Sequence, residues 1–212
     1  MKEKNKKVLF ISRSDAFNIN NIVEFVSENF DSTICVEERS SDLPSDINDW
    51  EGEYIFSYLC PWLLPKTLIK KASNLAINFH PGSPSYPGTG CYNFALYHEA
   101  KHYGVTCHHL APKIDSGDII RIESFNILRN DTVKSLIDRT YVYLNYLFFN
   151  ITLDILCNNE VKTSNLKWER KPYRKKDLDN LCKLSKTMDD DEIKKRIRAT
   201  TFKGKPGPYY VD

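Results

Sequence analysis

The sequence contains no apolar run long enough to cross a membrane or to form the core of a secretion signal. The first apolar run, after a basic start, extends only from Val8 to Ile11, whereas a signal sequence needs roughly 7–15 such residues. The longest apolar region, 141–157, is interrupted by Asn145, Asn150, Thr152 and Asp154, and a membrane helix needs about 20 consecutive apolar residues. We therefore expect a cytoplasmic protein with no membrane partner.

The chain also has little net charge. Its 30 Lys and Arg residues nearly balance 28 Asp and Glu residues, which gives a formal net charge of +2. The strongly basic composition of many nucleic-acid-binding domains is absent, so no nucleic-acid partner is expected. A length of 212 residues fits one domain, or one domain with a small appendage.

Paired cysteine motifs and the glycine fingerprint of dinucleotide-binding proteins are missing as well. The six cysteines lie far apart and none forms a CxxC pair, which favours reduced, mostly buried thiols over a disulfide framework or a zinc site. The first predicted strand continues into SRSDAFN and not into GxGxxG. This weakens any prediction of dinucleotide binding.

Short apolar segments alternate with amphipathic ones, which predicts an α/β fold: a Rossmann-like, mostly parallel sheet with helices on both faces. The predicted strands are 7–12, 32–38, 53–59, 74–80, 105–111 and 119–127. The predicted helices are 20–30, 65–72, 91–103 (ended by Gly104) and a long helix capped by Asn130 or Asp131 that runs to about Cys157. Composition changes after residue 165, so we expect a main domain over 1–165. Residues 166–212 would be an appendage that packs on it or on a second copy of the chain.

The most informative segment is the end of the fourth predicted strand. Because side chains alternate along a strand, Ala76, Asn78 and His80 share one face while Ile77 and Phe79 share the other. Pro81 ends the strand, at the sheet edge where ligands bind in open α/β folds. A DSGD turn follows later at Asp115, and by itself it indicates only a turn.

A competing motif, HEAKH at 98–102, matches the zinc-protease pattern. His98 and His102 could share a helix face, but the predicted helix ends at Gly104 and no third ligand motif follows. His108 and His109 alternate across a strand. Solvated or locally hydrogen-bonded histidines account for all four, and we expect no metal.

Taken together, the segments resemble the folate-dependent formyltransferase family over roughly 53–128. The matching pieces are Asn78-Phe79-His80-Pro81, the loop GSPSYPGTG, the helix that follows, Gly104-Val105-Thr106 and Asp115-Ser116-Gly117-Asp118. Their order and spacing both agree with the family signature.

The resemblance implies transfer of a formyl group from N10-formyltetrahydrofolate to a primary amine, without a metal. Asn78 and His80 would stabilise the oxyanion, His80 would move the proton, and Asp115 would orient the imidazole or take the proton through water. The folate would be held around Cys60, Trp62, Leu64, Ile114 and Asp118, although Trp62 could equally be a packing aromatic. The acceptor side would involve Tyr86, Gly88, Thr89 and Asn93.

Among acceptor classes, the loop and the C-terminal segment look most like sugar N-formyltransferases, which act on nucleotide-linked amino sugars for bacterial surface polysaccharides such as O-antigen. We expect a dTDP- or GDP-linked amino-deoxysugar and a homodimer. The basic segment Lys167–Lys176 is either a solvated face, as such runs usually are, or a contact to the pyrophosphate of the acceptor. Neither the base nor the C3 or C4 position of the amine is decided. The alternatives are a glycinamide ribonucleotide or other small-amine formyltransferase, a zinc hydrolase, and a non-catalytic folate-binding module; a methionyl-tRNA enzyme fits poorly, since only 47 residues follow position 165.

Overall fold

The computed structural model describes residues 5–211; most of the basic start, residues 1–4, and residue 212 lie outside the described residues. Its centre is a six-stranded sheet of order β2-β1-β3-β4-β5-β6. The strands are β1 (Lys7–Arg13), β2 (Asp31–Glu37), β3 (Gly52–Tyr58), β4 (Ala72–His80), β5 (His102–His109) and β6 (Ile119–Asn126). The helices are α1 (Ile19–Asn29), α2 (Lys66–Ile69), α3 (Cys91–Tyr97), α4 (Val133–Leu156), α5 (Lys175–Leu181) and α6 (Asp190–Thr200), and a 3₁₀ turn spans Ser45–Asp49.

The first four strands run parallel, and β5 and β6 are antiparallel additions at one side. The predicted mostly parallel α/β sheet is therefore confirmed. Each parallel connection needs a crossover, and α1, the 3₁₀ turn and α2 supply these crossovers between β1 and β4. Strand β4 lies inside the sheet, between β3 and β5, so its C-terminal end opens at the centre of the edge.

Helices cover both faces of the sheet, as predicted. On one face, α1 and α4 bury a cluster whose centre is Phe148, which is fully buried and packs edge-on against Phe10, Phe56 and Phe79. On the other face, Leu68 of α2 packs with alternate strand residues such as Leu9 and Ile55. Because both faces are buried, β1 reads in the sequence as an unbroken apolar run.

The predicted end of α3 is wrong. The helix stops at Tyr97 because Glu99 adopts a left-handed conformation with φ 52°, and the backbone N–H of Ala100 then bonds back to the Ala95 carbonyl, as in a Schellman-type helix end. Gly104 lies within β5 instead. A Cβ at this position would meet the Glu123 carbonyl oxygen at 2.5 Å, so glycine here permits close pairing with β6.

Two further helix boundaries differ from the prediction. The N-cap of α4 is Thr132, which exchanges hydrogen bonds with Ser135, while Asp131 instead accepts from the Leu128 N–H at 2.6 Å and pairs with Arg139. Helix α2 is a single turn and not a helix over 65–72. At the start of α4 several neighbouring polar residues could act as the N-cap, and tertiary packing decides which one does.

The C-terminal residues pack against α3 and α4. Ala199 of α6 is fully buried in a cluster with Phe94 and Leu136, and two short strands, β7 (Lys183–Leu184) and β8 (Tyr209–Tyr210), pair in parallel. The cysteine prediction is confirmed within the described residues: all six are free and four are buried. None of the helices within residues 5–211 is long and apolar enough to cross a membrane.

Candidate active site

Asn78 and His80 lie at the C-terminal end of β4, where the antiparallel partner β5 brings a third polar residue beside them. In the strand register, Asn78 pairs with His108 and His80 pairs with Thr106. His108 is 3% exposed and His80 is 5% exposed. The sequence pattern predicts a solvated or locally hydrogen-bonded His108, whereas the register makes it a buried neighbour of the candidate catalytic pair.

Asp115 lies between the two imidazole rings and contacts both. It lies in the turn between β5 and β6 with φ 41°, and its side chain is 7% exposed. One carboxylate oxygen, Oδ2, is 3.3 Å from His80 Nδ1 and the other, Oδ1, is 3.4 Å from His108 Nε2. The Gly88 N–H donates to Oδ2 at 2.7 Å, so the acceptor-side loop also bonds to this carboxylate.

The Asn78 amide has a fixed orientation. The Ser57 hydroxyl of β3 donates to Oδ1 at 2.7 Å, and Nδ2 lies 3.1 Å from His108 Nε2. His108 Nδ1 is 2.8 Å from the His109 carbonyl and must donate to it, so the ring in its neutral form accepts from Asn78 through Nε2. One amide hydrogen is thereby used, and the second can serve a ligand at the sheet edge.

The folded structure lowers the pKa values of both Asp115 and His80, but for different reasons. Burial alone would raise the pKa of Asp115, but the positive charge that His80 carries when protonated, the neighbouring His108 and the Gly88 N–H together lower it to about 2. Burial lowers the pKa of His80, against an opposing effect of Asp115. At neutral pH the site therefore holds a carboxylate beside a neutral imidazole. We assign the His80 proton to Nδ1, facing Asp115, because a bond to a carboxylate is stronger than one to the Tyr86 carbonyl 3.4 Å from Nε2.

The loop after β4 is held over the site by side chains that bind its backbone carbonyls. The Tyr103 hydroxyl and Cys91 Sγ both donate to the Pro81 carbonyl, and Thr106 Oγ1 donates to the Gly82 carbonyl at 2.7 Å. A Cβ at Gly82 would approach His80 Nε2 to 2.5 Å, so only glycine lets the chain pass this closely.

The residues predicted for the acceptor side are used in different ways. Tyr86 is buried, and Thr89 is exposed. Gly88 gives its N–H to Asp115. The Asn93 amide donates to the Ala199 carbonyl at 2.6 Å, so it holds α6 on α3. Thr89 is consequently the member of this set most open to a ligand.

The residues predicted for the folate side flank the same edge. Cys60 and Trp62 follow the end of β3 and are half-buried; burial raises the pKa of the Cys60 thiol to about 11. The Trp62 Nε1–H donates to the Ser41 carbonyl at 2.8 Å, and Leu64 is buried in the core. Ile114 is 57% exposed beside Asp115, and Asp118 pairs with Lys167.

The HEAKH residues do not form a helical metal site. His98 is the C-cap of α3 and His102 begins β5, so they do not share a helix face. Within residues 5–211 no group of three or more His, Cys, Asp or Glu side chains is arranged to hold a metal ion.

Trp168 also belongs to the site, although no sequence pattern predicts it there. Its ring centroid lies 5.9 Å from that of His80 and 5.0 Å from that of His108. The sequence separation of 88 residues from His80 gave no local signal for this contact.

Comparisons with known proteins identify similar sequences. Residues 4–144 match the model of a family described as formyl transferase. A methionyl-tRNA formyltransferase from Alkaliphilus oremlandii is 25% identical over 163 residues, which cover 76% of this chain and 52% of the relative. The chain thus spans about half the length of that curated relative.

Solved structures share the fold over nearly the whole chain. A 4-N formyltransferase from Francisella tularensis superimposes with a TM-score of 0.80 at 21% identity, covering 98% of this chain and 93% of that one. An N-formyltransferase from Helicobacter canadensis, in complex with folinic acid and dTDP-3-aminofucose, gives a TM-score of 0.69 at 20% identity, covering 92% and 80%.

Proposed function

The chain belongs to the formyl transferase family, and on that premise we propose that it transfers a formyl group from N10-formyltetrahydrofolate to the primary amine of a nucleotide-linked amino-deoxysugar. The observation that carries the proposal is the convergence of Asn78, His80 and Asp115 at the end of β4. An oriented amide donor, a neutral buried imidazole and an ionised carboxylate are the groups that acyl transfer to an amine requires.

Each group has a distinct task in the proposed reaction, for which the folate supplies the formyl group. The acceptor amine forms a bond to the formyl carbon, and the bond from that carbon to the folate nitrogen breaks. The second Nδ2 hydrogen of Asn78 donates to the developing oxyanion, a contribution of about 3 kcal/mol. His80 takes the proton that the amine loses and returns it to the folate nitrogen, while Asp115 stabilises the imidazolium that forms between the two transfers.

Two exposed aliphatic side chains support a folate donor. Ile114 and Leu63 are 57% and 59% exposed, and they lie on the two segments that resemble the family's folate-binding loops. Exposed aliphatic side chains beside polar backbone suit a flat, partly apolar pterin ring. The folate in the Helicobacter canadensis complex is consistent with this assignment.

Two observations support a nucleotide-linked acceptor. The Helicobacter canadensis neighbour contains dTDP-3-aminofucose. In the present chain, the basic segment Lys167–Lys176 runs along the loop that carries Thr89: the Tyr173 N–H donates to the Pro87 carbonyl, and the Thr89 N–H donates to the Tyr173 carbonyl. We propose that cationic side chains of this segment contact the pyrophosphate of the acceptor.

The sequence relative from Alkaliphilus oremlandii favours methionyl-tRNA as a second candidate acceptor. The two possibilities separate in one assay. The purified chain is incubated with N10-formyltetrahydrofolate and with dTDP- and GDP-linked 3-amino and 4-amino sugars, glycinamide ribonucleotide or methionyl-tRNA. Mass spectrometry then detects addition of one formyl group. Formylation of an amino sugar, absent with the His80→Ala variant, supports the proposal. Turnover of methionyl-tRNA alone, or of no amine at all, overturns it.

A further inference from the structure

The segment Lys167–Tyr173, which we name the strap, ties together the two loops that form the site. At one end, the Trp168 Nε1–H donates to the Gly117 carbonyl at 2.8 Å, in the turn that carries Asp115. Further along, the Glu169 N–H donates to the Pro84 carbonyl, and the Glu169 carboxylate accepts from the Ser85 hydroxyl at 2.7 Å. The strap therefore spans from the Asp115 turn to the loop over His80.

Trp168 is the strap residue that reaches the candidate catalytic group. Its indole contacts two imidazoles at once, at interplanar angles of 75° with His80 and 85° with His108. The hydrogen bond to the Gly117 carbonyl fixes the orientation of the indole. Trp168 itself is only half-buried, so one part covers the imidazoles while another part faces solvent.

We propose that Trp168 is a positioning residue of this site: its indole holds both imidazole planes and keeps water away from His80, His108 and Asp115. As a role in catalysis, the inference rests on the proposed function. Perpendicular aromatic pairs are a favoured arrangement, and a single indole in contact with both rings restricts their rotation together. The hydrogen bonds of His80 and His108 engage their ring nitrogens, and Trp168 packs against both rings in perpendicular contacts.

The groups that face His80 determine what loss of the indole would do. They are Asp115 from the β5–β6 turn, His108 from β5 and the Tyr86 carbonyl from the loop. The charged strap residues beside Trp168 are engaged elsewhere, since Lys167 pairs with Asp118 and Glu169 binds Ser85. Burial is the main cause that lowers the pKa of His80, so admission of water raises it.

Three substitutions of Trp168 distinguish a positioning role from a packing role. Trp168→Phe keeps an aromatic ring but loses the N–H, Trp168→Leu keeps bulk without a ring, and Trp168→Ala opens the site. Leu166→Ala is the matched control, because Leu166 precedes the strap and is 49% exposed. Each full-length variant is examined by thermal melting, by pH profiles of kcat and KM, and by NMR titration of the imidazole C–H signals, assigned through His80→Gln and His108→Gln.

Trp168→Ala is expected to lower kcat about 10-fold or more, with KM changed less than about 3-fold. It is also expected to move the His80 titration and the acid limb of the profile upward by about half a pH unit or more. Trp168→Phe should lie between Trp168→Ala and the wild type, and Leu166→Ala should match the wild type. If Trp168→Ala is poorly folded, the comparison of Trp168→Leu with Trp168→Phe replaces it.

Two results would overturn the proposal. One is a Trp168→Leu variant, folded like the wild type, in which both imidazole titrations and kcat are unchanged. The other is a loss confined to KM, which would make Trp168 a ligand contact. The NMR titration needs no substrate. If no acceptor is formylated but the imidazoles still respond to Trp168, the proposed function fails while the positioning effect stands.

Discussion

Replacement of Asp115 by Asn removes the negative charge that lies between His80 and His108 and leaves a side chain of nearly the same shape. The Asp115 carboxyl has a pKa of about 2, against an ordinary value of 3.8. A difference of just under two units corresponds to about 2 kcal/mol of stability at neutral pH. Because the pKa is lower in the folded state, this contribution is present above about pH 4 and is lost as the pH falls through 2; roughly half remains at pH 3.

The Asn side chain does not titrate, so the variant lacks this pH-dependent contribution. The part of the difference in the free energy of unfolding between the wild type and Asp115→Asn that comes from the Asp115 titration should therefore shrink by about 1 kcal/mol between pH 6 and pH 3. The lower pKa of His80 in the variant acts in the opposite direction, so its titration is measured alongside by NMR. Urea denaturation at several pH values measures the difference in the free energy of unfolding. Asp138→Asn is the control, since Asp138 lies on the surface of α4 and is 56% exposed; its effect should stay within about 0.5 kcal/mol.

The same substitution should change the pH dependence of catalysis in a defined direction. Asp115 raises the pKa of His80, so its removal lowers that pKa further, and the acid limb of the rate profile moves to lower pH. The plateau rate should fall about 100-fold, because the His80 proton is no longer held on Nδ1. A variant with the wild-type plateau and an unmoved acid limb would refute the reasoning that Asp115 acts through His80.

The remaining predictions concern His80, the Asn78 amide, His108 and the two histidines of the HEAKH motif. His80→Ala and Asn78→Ala should each lower kcat/KM about 10²- to 10³-fold while each variant stays folded, as circular dichroism measures, and near-normal turnover by either variant would remove its assigned role. His108→Gln should lower kcat about 10-fold, because the Asn78 amide loses its fixed partner; kinetics identical to the wild type would make His108 a packing residue. The double variant His98→Gln, His102→Gln should keep full activity in the presence of a chelator, and chelator-sensitive activity of the wild type would contradict the absence of a metal.

Local pattern was sufficient for much of the sheet. The alternation of Ile77 and Phe79 with Asn78 and His80 assigned each side chain of β4 to a face, because a strand has a period of two whatever it pairs with. Unbroken apolar runs likewise predicted strands buried on both faces. The family resemblance added the link between β4 and Asp115, which no period within the sequence relates.

Helix ends were less predictable because several residues near each end could stop the helix. Gly104 looked like a terminator of α3, but Glu99 adopts the left-handed conformation five residues earlier. Asn130, Asp131 and Thr132 can all cap a helix. Thr132 is the cap in the structure, where Asp131 pairs with Arg139, a contact that depends on tertiary packing.

The sequence by itself determined the α/β class, the face on which Asn78 and His80 lie and, through the family signature, their relation to Asp115. Only the tertiary structure decided that His108 and Trp168 join them. The place of His108 depends on the antiparallel register of β5 against β4, which two separate strands set through their shared packing. The place of Trp168 depends on the path of the chain after α4, held by hydrogen bonds between backbone segments far apart in sequence. Such long-range pairings leave no periodic pattern in the sequence, because they depend on which surfaces of the chain meet after folding.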